Sequence, residues 1–245
     1  MVAPAKQTGP DDLIGRVIED RYEVLRRLGD NQLGRVYECK HVTLERLVTI
    51  EVLGPALASN DGARECFLRQ ARQASRLRHR GIVEVENQGI TPNGSVYMAS
   101  EPVGGATLEA ILRRETKLPW ARARGIALQI AAALKAAHRR SVVHQGLRPA
   151  VVHVWSDAGG DRIKVSGFGM AEVGAEAQRR PKEDGGTTRL LGDSRYMATE
   201  QIAAGRGSVQ GDVYALGAVL YHMLTGEPPV STANAFQLMA RRESR

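Results

Sequence analysis

The hydrophobic period of this sequence changes partway along the chain, and that change limits the folds open to it. Between Arg21 and Ser100, short runs rich in β-branched and aromatic residues alternate with turns, as antiparallel strands do. Within this part, residues 61–79 instead repeat apolar residues at helical spacing. After Gly104 and Gly105 the pattern is mostly helical. A sheet with one helix, followed by a helical half, predicts an α+β chain folded as two lobes.

The second half contains the longest predicted helices, at residues 119–140 and 209–224, and a shorter one at residues 233–243. Residues 209–224 are strongly apolar and are followed by Gly226, which is typical of a helix C-terminus. Residues 170–195 are polar and rich in glycine, so the sequence predicts a long loop there.

Composition excludes several classes of protein. Hydrophobic residues make up 42% of the 245 residues, too many for a disordered chain. No apolar run reaches the roughly 20 residues that a membrane-spanning helix needs, and the N-terminus lacks the apolar stretch of a secretory signal. The sequence therefore predicts a cytoplasmic protein without a membrane span. The net charge of +7, carried mostly by arginine, favours acidic partners, whereas the 4% aromatic content argues against nucleic-acid binding.

Segments spread over most of the chain resemble, in the right order, the signature segments of bacterial serine/threonine protein kinases. They begin with the first strand and glycine-rich loop and end with a long buried helix. These segments are RYEVLRRLGDNQLGRV (21–36), HVTLERLVTIEVL (41–53), VYMASEPVGGATL (96–108), VVHQGLRPAVV (142–152), KVSGFGMAE (164–172), GDSRYMATEQ (192–201) and GDVYALGAVLYHMLTGEPP (211–229).

The resemblance implies a bilobal protein-kinase-like fold, with a small β-sheet lobe and a mostly helical lobe. Residues 1–20 are then a polar leader, and 21–100 form the small lobe. Residues 101–105 form a hinge, and 106–245 form a large lobe that is C-terminally incomplete.

The same resemblance places unusual residues at the positions that carry kinase chemistry. Glu51 stands at the phosphate-binding lysine, and Gln70 at the glutamate that partners that lysine. Gly146 stands at the general-base aspartate, while Val151 and Gly167 stand at the two metal ligands. Glycine and valine have no side-chain oxygen for Mg²⁺, and a carboxylate at position 51 repels phosphate. The sequence therefore predicts no catalytic residue, no metal site, and no use of ATP or Mg²⁺.

Other positions keep the residue types that the family uses to shape the cleft and couple the lobes. Asn31 replaces the middle glycine of the glycine-rich loop and tolerates a left-handed turn. The residues assigned to a vestigial nucleotide cleft are Gly29, Gly34, Val36, Thr49, Glu101 and Val103, and the structural anchors are His144, Phe168, Glu200 and Asp212.

Two further features each have a functional and a plain interpretation. Arg69, Arg72, Arg76 and Arg80 recur at helical spacing, either as a docking surface for an acidic partner or as a solvated face. The threonine pair at 187–188 is either a phosphate acceptor for an active kinase or loop filler.

These observations predict a catalytically inactive kinase homologue, a pseudokinase, that acts as a signalling scaffold or allosteric partner. Its partner would be a protein, such as an active kinase or an acidic surface, and self-association is a further expectation. The alternatives are a nucleotide-binding enzyme of the same superfamily with altered or metal-independent chemistry, and the fragment of a gene in decay.

Overall fold

The first lobe is built on an antiparallel sheet of six strands with the order β1-β2-β3-β4-β6-β5. The structure is a computed structural model in which residues 13–179, 193–204 and 206–230 are described. The elements of this lobe are β1 (Val17–Ile18), β2 (Tyr22–Asp30), β3 (Gly34–His41), β4 (Leu47–Leu53), α1 (Pro55–Ala58), α2 (Asp61–Ala74), β5 (Val85–Ile90) and β6 (Val96–Ser100).

Alternation along the strands gives the sheet two apolar faces, and each face has its own core. On one face Tyr37 and Tyr97 are fully buried in a cluster that includes Leu13. The other face packs on α2 through Phe67, which is fully buried. Helix α2 begins where the Asn60 side chain accepts a hydrogen bond from the third residue of the helix. One face of the sheet is therefore buried in the cluster that includes Leu13, and helix α2 covers the other face.

The folded lobe begins before the boundary that the sequence predicts. Residues 1–20 were expected to be a polar leader, but Leu13 and Ile18 are only 3% and 0% exposed within the sheet core. Glu19 accepts a hydrogen bond of 2.7 Å from the hydroxyl of Tyr97. The apolar residues of this segment are too few and too closely spaced to show a strand or helix period. The segment from Leu13 onwards belongs to the small lobe, and the division of the chain into lobes otherwise stays a prediction.

The second lobe combines a sheet of order β7-β8-β9 with helices and short 3-10 turns. Its elements are β7 (Ala106–Thr107), α3 (Leu108–Glu115), α4 (Trp120–His138), a 3-10 turn (Pro149–Val151), β8 (Val152–Asp157), β9 (Gly160–Val165), α5 (Ala171–Arg179), a second 3-10 turn (Ser194–Tyr196), α6 (Thr199–Ala204) and α7 (Val209–Thr225).

Helices α4 and α7 confirm the two long helices predicted from the sequence. They pack against each other and bury Ile126 and Ile130 of α4 with Val219 and Met223 of α7. The loops that line the cleft pack on this core. The helix predicted at residues 233–243 lies outside the described residues.

Helix α5 occupies part of the segment 170–195, which the sequence predicted as one long loop. Met170 and Val173 are buried against α2, and Ala177 packs beside them. Their spacing of three and four residues is helical, but the polar and glycine-rich composition around them obscured it. The remainder of the predicted loop, residues 180–192, lies outside the described residues.

The burial of the leader segment predicts unequal effects of two neighbouring substitutions. Ile18→Ala should lower the free energy of unfolding by about 2–4 kcal/mol, because it removes a fully buried side chain. Val17→Ala, at a side chain that is 43% exposed, should change it by less than about 0.5 kcal/mol. Urea unfolding followed by circular dichroism measures both. Equal losses would mean that this segment is not part of the folded lobe.

Candidate functional site

A cleft of about 1060 Å³ lies between the two lobes, where the chain crosses from β6 to β7. Most of the positions that the resemblance assigned to nucleotide binding or chemistry meet there. The predicted residues that line it are Gly29, Val36, Thr49, Glu51, Glu101, Val103, His144, Gly146, Val151 and Gly167.

The turn between β2 and β3 is organised by Asn31. Its side-chain oxygen accepts hydrogen bonds from the backbone N–H groups of Leu33 and Gly34, at 2.9 and 3.0 Å. Gly34 is required for a different reason, since a Cβ there would lie 2.1 Å from the carbonyl oxygen of Val52. Gly34 therefore lets the turn approach β4 closely, and it does not line the cleft. The turn survives with asparagine in its middle position.

Glu51 lines the cleft, and its carboxylate has a hydrogen-bond partner there. The amide of Asn31 donates a hydrogen bond to it. Burial raises the pKa of Glu51 above its usual value, while that hydrogen bond and the charge of Arg148 act in the opposite direction. The repulsion of phosphate that the sequence predicts is thus weakened by a capping amide, a nearby cation and a lower tendency to ionise.

Arg148 supplies positive charge from the opposite side of the cleft. Burial lowers the pKa of its guanidinium, and the carboxylates of Asp193, Glu109 and Glu51 oppose that effect. Within the described part of the chain, its guanidinium donates a long hydrogen bond of 3.4 Å to the carbonyl oxygen of Gly146. The cleft therefore contains a cation that is attracted to several carboxylates without being fixed to one of them.

The end of the cleft beside the hinge is lined by apolar side chains and by Val103 of the hinge. Its apolar walls are formed by Val36 from β3, Met98 from β6 and Val151. Val151 belongs to the segment 142–152, which is called the catalytic loop after the kinase segment that it resembles. Within the described ranges, no hydrogen bond is formed by the backbone N–H or C=O of Val103 in the hinge. A flat heterocycle that pairs with such backbone groups between apolar walls is the ligand type that this geometry suits.

The two positions assigned to metal ligands do not fit a metal ion. Val151 and Gly167 face each other, since a Cβ at Gly167 would lie 3.9 Å from Cγ1 of Val151. Neither residue offers a side-chain oxygen, which Mg²⁺ requires. Among the residues that the structure describes, no group of three or more His, Cys, Asp or Glu side chains could hold a metal. The side chains at these two positions therefore cannot coordinate a metal ion.

Asp212 fixes the backbone of the catalytic loop from below. It is 1% exposed, and its two carboxylate oxygens accept hydrogen bonds of 2.8 Å from the N–H groups of His144 and Gln145. One of these oxygens also lies 2.7 Å from Nε2 of His138. A buried carboxylate with this many partners is held in one position. These contacts suit the anchoring role expected from the sequence, which stays a prediction.

His144 and Phe168 lie in ring contact, with centroids 4.6 Å apart. Burial lowers the pKa of His144, which favours the neutral imidazole. In that form Nε2 donates to the carbonyl oxygen of Ser166 at 3.1 Å, and Nδ1 accepts from the N–H of Gly146 at 3.3 Å. The catalytic loop and the segment 166–169 are thus packed together as one unit.

Glu172 at the start of α5 is a residue that the sequence analysis missed. Its carboxylate accepts hydrogen bonds from the side-chain amides of Gln70, at 2.5 Å, and Gln145, at 2.9 Å. By the resemblance, Gln70 stands at the position of a glutamate, and Gln145 at that of the arginine before the general-base aspartate. The signal available in the sequence was the apolar spacing of α5, which would have placed Glu172 on a helix beside α2.

Several predicted residues are not brought to the cleft. Glu200 on α6 is exposed and forms no ion pair with any described residue. The arginines predicted as a basic stripe are exposed on α2 and the turn after it. The threonine pair at 187–188 lies outside the described residues.

Comparisons with known proteins agree on one family. The family model for "Protein kinase domain" matches residues 22–244. The chain is 31% identical over 229 residues to serine/threonine-protein kinase pkn3 of Myxococcus xanthus, covering 92% of this chain and 41% of that protein. It is 32% identical over 215 residues to serine/threonine-protein kinase PknB of Mycobacterium tuberculosis, covering 86% and 33%. The chain thus spans about a third to two fifths of the length of these relatives.

Solved structures give the same result. The crystal structure of the Mycobacterium tuberculosis PknI kinase domain matches with a TM-score of 0.71 and 28% sequence identity. The match covers 88% of this chain and 78% of that one. The predicted resemblance to bacterial serine/threonine kinases and the bilobal α+β fold are both confirmed.

Two predictions are wrong in the light of these relatives. The sequence predicted that the chain is not an enzyme, but the relatives are named serine/threonine-protein kinases and the matching family model is a kinase domain. The sequence also predicted no use of ATP or Mg²⁺. Protein kinases use both, so the class of ligand expected for the cleft is a nucleotide. Both predictions rested on residue types at single positions. For Glu51 the physical reason is that the Asn31 amide and the charge of Arg148 surround its carboxylate, which its position in the sequence does not reveal.

Among the residues that the structure describes, no helix is both long and apolar enough to cross a bilayer.

The environment of Glu51 predicts a pH-dependent effect of Glu51→Gln. Because the folded state raises the pKa of this carboxyl above that of the unfolded chain, its ionisation destabilises the fold as the pH rises through the folded pKa. The variant should therefore match the wild type near pH 4 and become the more stable protein near pH 8. Urea midpoints across this range measure the difference.

Glu23→Gln, on an exposed position of β2, is the matched control and should show no such trend. A constant difference between Glu51→Gln and the wild type at every pH would contradict the assignment.

Proposed function

Because the chain belongs to the protein kinase family, we propose that it is a nucleotide-binding signalling domain that acts on a protein partner, as an allosteric partner or a scaffold. The observation that carries the proposal is the contrast within one cleft. Asp212, His144 and Phe168 form contacts that would suit coupling between the lobes. Positions 146, 151 and 167, in contrast, have no side-chain oxygen.

Retained coupling gives such a domain a means of transmitting a signal. Asp212 fixes the catalytic loop, and the contact of His144 with Phe168 joins that loop to the segment leading into α5. A ligand that binds between the lobes changes the relative stability of their arrangements, and a partner that senses one arrangement is affected in turn. Ligand binding in the cleft would then change the surface that the protein partner contacts.

The charge distribution favours an acidic protein as the partner. The net charge is +7, and the exposed arginines include Arg69, Arg72, Arg76 and Arg80. Opposite charge on the partner would speed association and orient it. An active kinase with an acidic surface is one partner of this kind, and location in the cytoplasm belongs to the same proposal.

A second candidate function is phosphoryl transfer by altered chemistry. The carboxylate of Asp193 lines the cleft, as does the guanidinium of Arg148. A carboxylate can orient a hydroxyl and a guanidinium can stabilise charge on phosphate. These two groups are the ones that such chemistry would use in this chain.

Nucleotide binding is tested by thermal unfolding. Nucleotide at about 100 times its Kd should stabilise the protein by roughly 2.7 kcal/mol. For a domain of this size that raises Tm by about 5–10 °C. Val103→Pro, which removes the hinge N–H, should abolish the increase, whereas Pro102→Ala should keep it. Absence of any increase with millimolar ATP, with or without Mg²⁺, would refute the nucleotide-binding proposal.

The two candidate functions differ in one further assay. Incubation with γ-labelled ATP and a general acceptor protein should give no label that depends on Asp193 if the domain acts through binding. Label that is lost in Asp193→Asn would establish the second candidate in place of the first. Arg124→Gln, on an exposed face of α4, is the control for nonspecific loss of charge.

A further inference from the structure

Helix α4 presents a row of exposed side chains along its outer side. Successive members of the row are separated by three or four residues, or by seven, so they lie on one side of the helix. The opposite side, with Ile126 and Ile130, is buried in the core. The exposed row is called here the α4 stripe, and its members are Trp120, Arg124, Leu128, Lys135 and Arg139.

The α4 stripe includes two large apolar side chains that contribute little to the core. Trp120 is 60% exposed and Leu128 is 55% exposed. Single exposed apolar residues are common on soluble proteins and need no explanation. These two share one side of a helix with three cations, and that combination is the feature to explain.

The cations of the stripe differ from many others of the second lobe in having no carboxylate partner. Within the described residues, the side chains of Arg124, Lys135 and Arg139 form no ion pair and no hydrogen bond. Helix α4 itself contains no aspartate or glutamate. In contrast, five arginines outside the stripe form ion pairs, namely Arg113 with Glu109, Arg114 with Glu115, Arg122 with Asp161, Arg162 with Asp157 and Arg195 with Asp193. The positive charge of the stripe is therefore available to an anion from outside the chain.

A solvated helix face is the simpler interpretation, and it explains only part of the stripe. Lys135 and Arg139 lie at the C-terminal end of α4, where cations complement the partial negative charge of the helix end. That effect is confined to the last turn, so it does not account for Arg124 in the first half of the helix. It also gives no reason for the exposure of Trp120 and Leu128.

The shape of the stripe favours a flat anionic surface as its partner. From Trp120 to Arg139 the stripe extends for about 28 Å along the helix. A single helix surface is convex, whereas proteins that bind peptide helices do so in a groove. Anionic lipid headgroups attract lysine and arginine, and tryptophan is enriched at the boundary between membrane and water. A bilayer can meet all five side chains at once.

We propose that the α4 stripe binds the surface of a bilayer that contains anionic phospholipids. The three cations contact headgroup phosphates, while the side chains of Trp120 and Leu128 reach the boundary between headgroups and acyl chains. Because only two large apolar side chains are buried and the other side of α4 stays in the core, the attachment is peripheral and reversible. The proposal does not depend on nucleotide binding in the cleft.

Sedimentation of the 245-residue protein with lipid vesicles tests the role of the charges. Vesicles of phosphatidylcholine with about one third phosphatidylglycerol should bind the protein, and vesicles of phosphatidylcholine alone should not. Each cation near such a surface contributes roughly fivefold to the affinity, so Arg124→Gln with Lys135→Gln should weaken binding about 30-fold. Added salt should weaken the binding of the wild type, because it screens these charges.

Arg76→Gln with Arg80→Gln is the matched control, since it removes the same charge from exposed positions of the small lobe. Its binding to the anionic vesicles should stay within about twofold of the wild type, because charges far from the contact are screened. Failure of the wild type to bind these vesicles, or equal losses in the two double variants, would overturn the proposal.

Tryptophan fluorescence tests the apolar part of the contact, because the chain has two tryptophans, Trp120 and Trp155. In Trp155→Phe, the anionic vesicles should shift the emission of Trp120 to shorter wavelength as its ring leaves water. In Trp120→Phe the shift should disappear, and this variant serves if Trp155→Phe does not fold. A shift that persists in Trp120→Phe would place the contact elsewhere and overturn the proposal.

Poly-glutamate distinguishes a bilayer from an acidic protein as the partner. At equal concentrations of negative charge, the wild type should bind the anionic vesicles about tenfold more tightly than poly-glutamate, which offers no apolar layer to Trp120 and Leu128. If poly-glutamate binds equally well and loses affinity to the same extent in Arg124→Gln with Lys135→Gln, the stripe recognises acidic chains and the membrane proposal is wrong.

Discussion

The buried carboxylate of Asp212 is the interaction on which the arrangement of the cleft depends. It accepts hydrogen bonds from two successive backbone N–H groups of the catalytic loop and lies against His138. Those N–H groups would otherwise be buried without partners, at a cost of about 1–3 kcal/mol each. Because the loop is fixed there, Gln145 can hold a backbone with a positive φ of 64° and direct its amide toward Glu172. The contact between His144 and Phe168 also depends on that position.

The global fold was predictable because its signals are local and repeated. The change from strand-like alternation to helical spacing predicted the two lobes, and the apolar run at 209–224 predicted the helix that carries Asp212. The ordered kinase-like segments then located most residues of the cleft. These features depend on residues near one another in the sequence, which is the information that patterns contain.

The parts that could not be predicted depend on contacts across the sequence. Glu51 was assigned a full repelling charge because nothing nearby in the sequence indicates that Asn31 would cap it. Helix α5 was assigned to a loop because its apolar residues are few, and they are buried only by the presence of α2. The strand formed by Val17 and Ile18 is too short for any period to appear. In each case the environment of the residue, and not its identity, determined its behaviour.

The close approach at Gly34 has a consequence for how chains of this kind are recognised. A Cβ at that position would meet the carbonyl oxygen of Val52 at 2.1 Å, so the glycine is demanded by the packing of two strands whatever ligand is present. A search that scores this glycine as a phosphate contact counts a requirement of the scaffold as evidence of chemistry. A match at this glycine is therefore good evidence for the fold of the domain. It is not evidence for kinase activity. Positions where the fold itself would accept many residues, such as 146, discriminate better among members of the family.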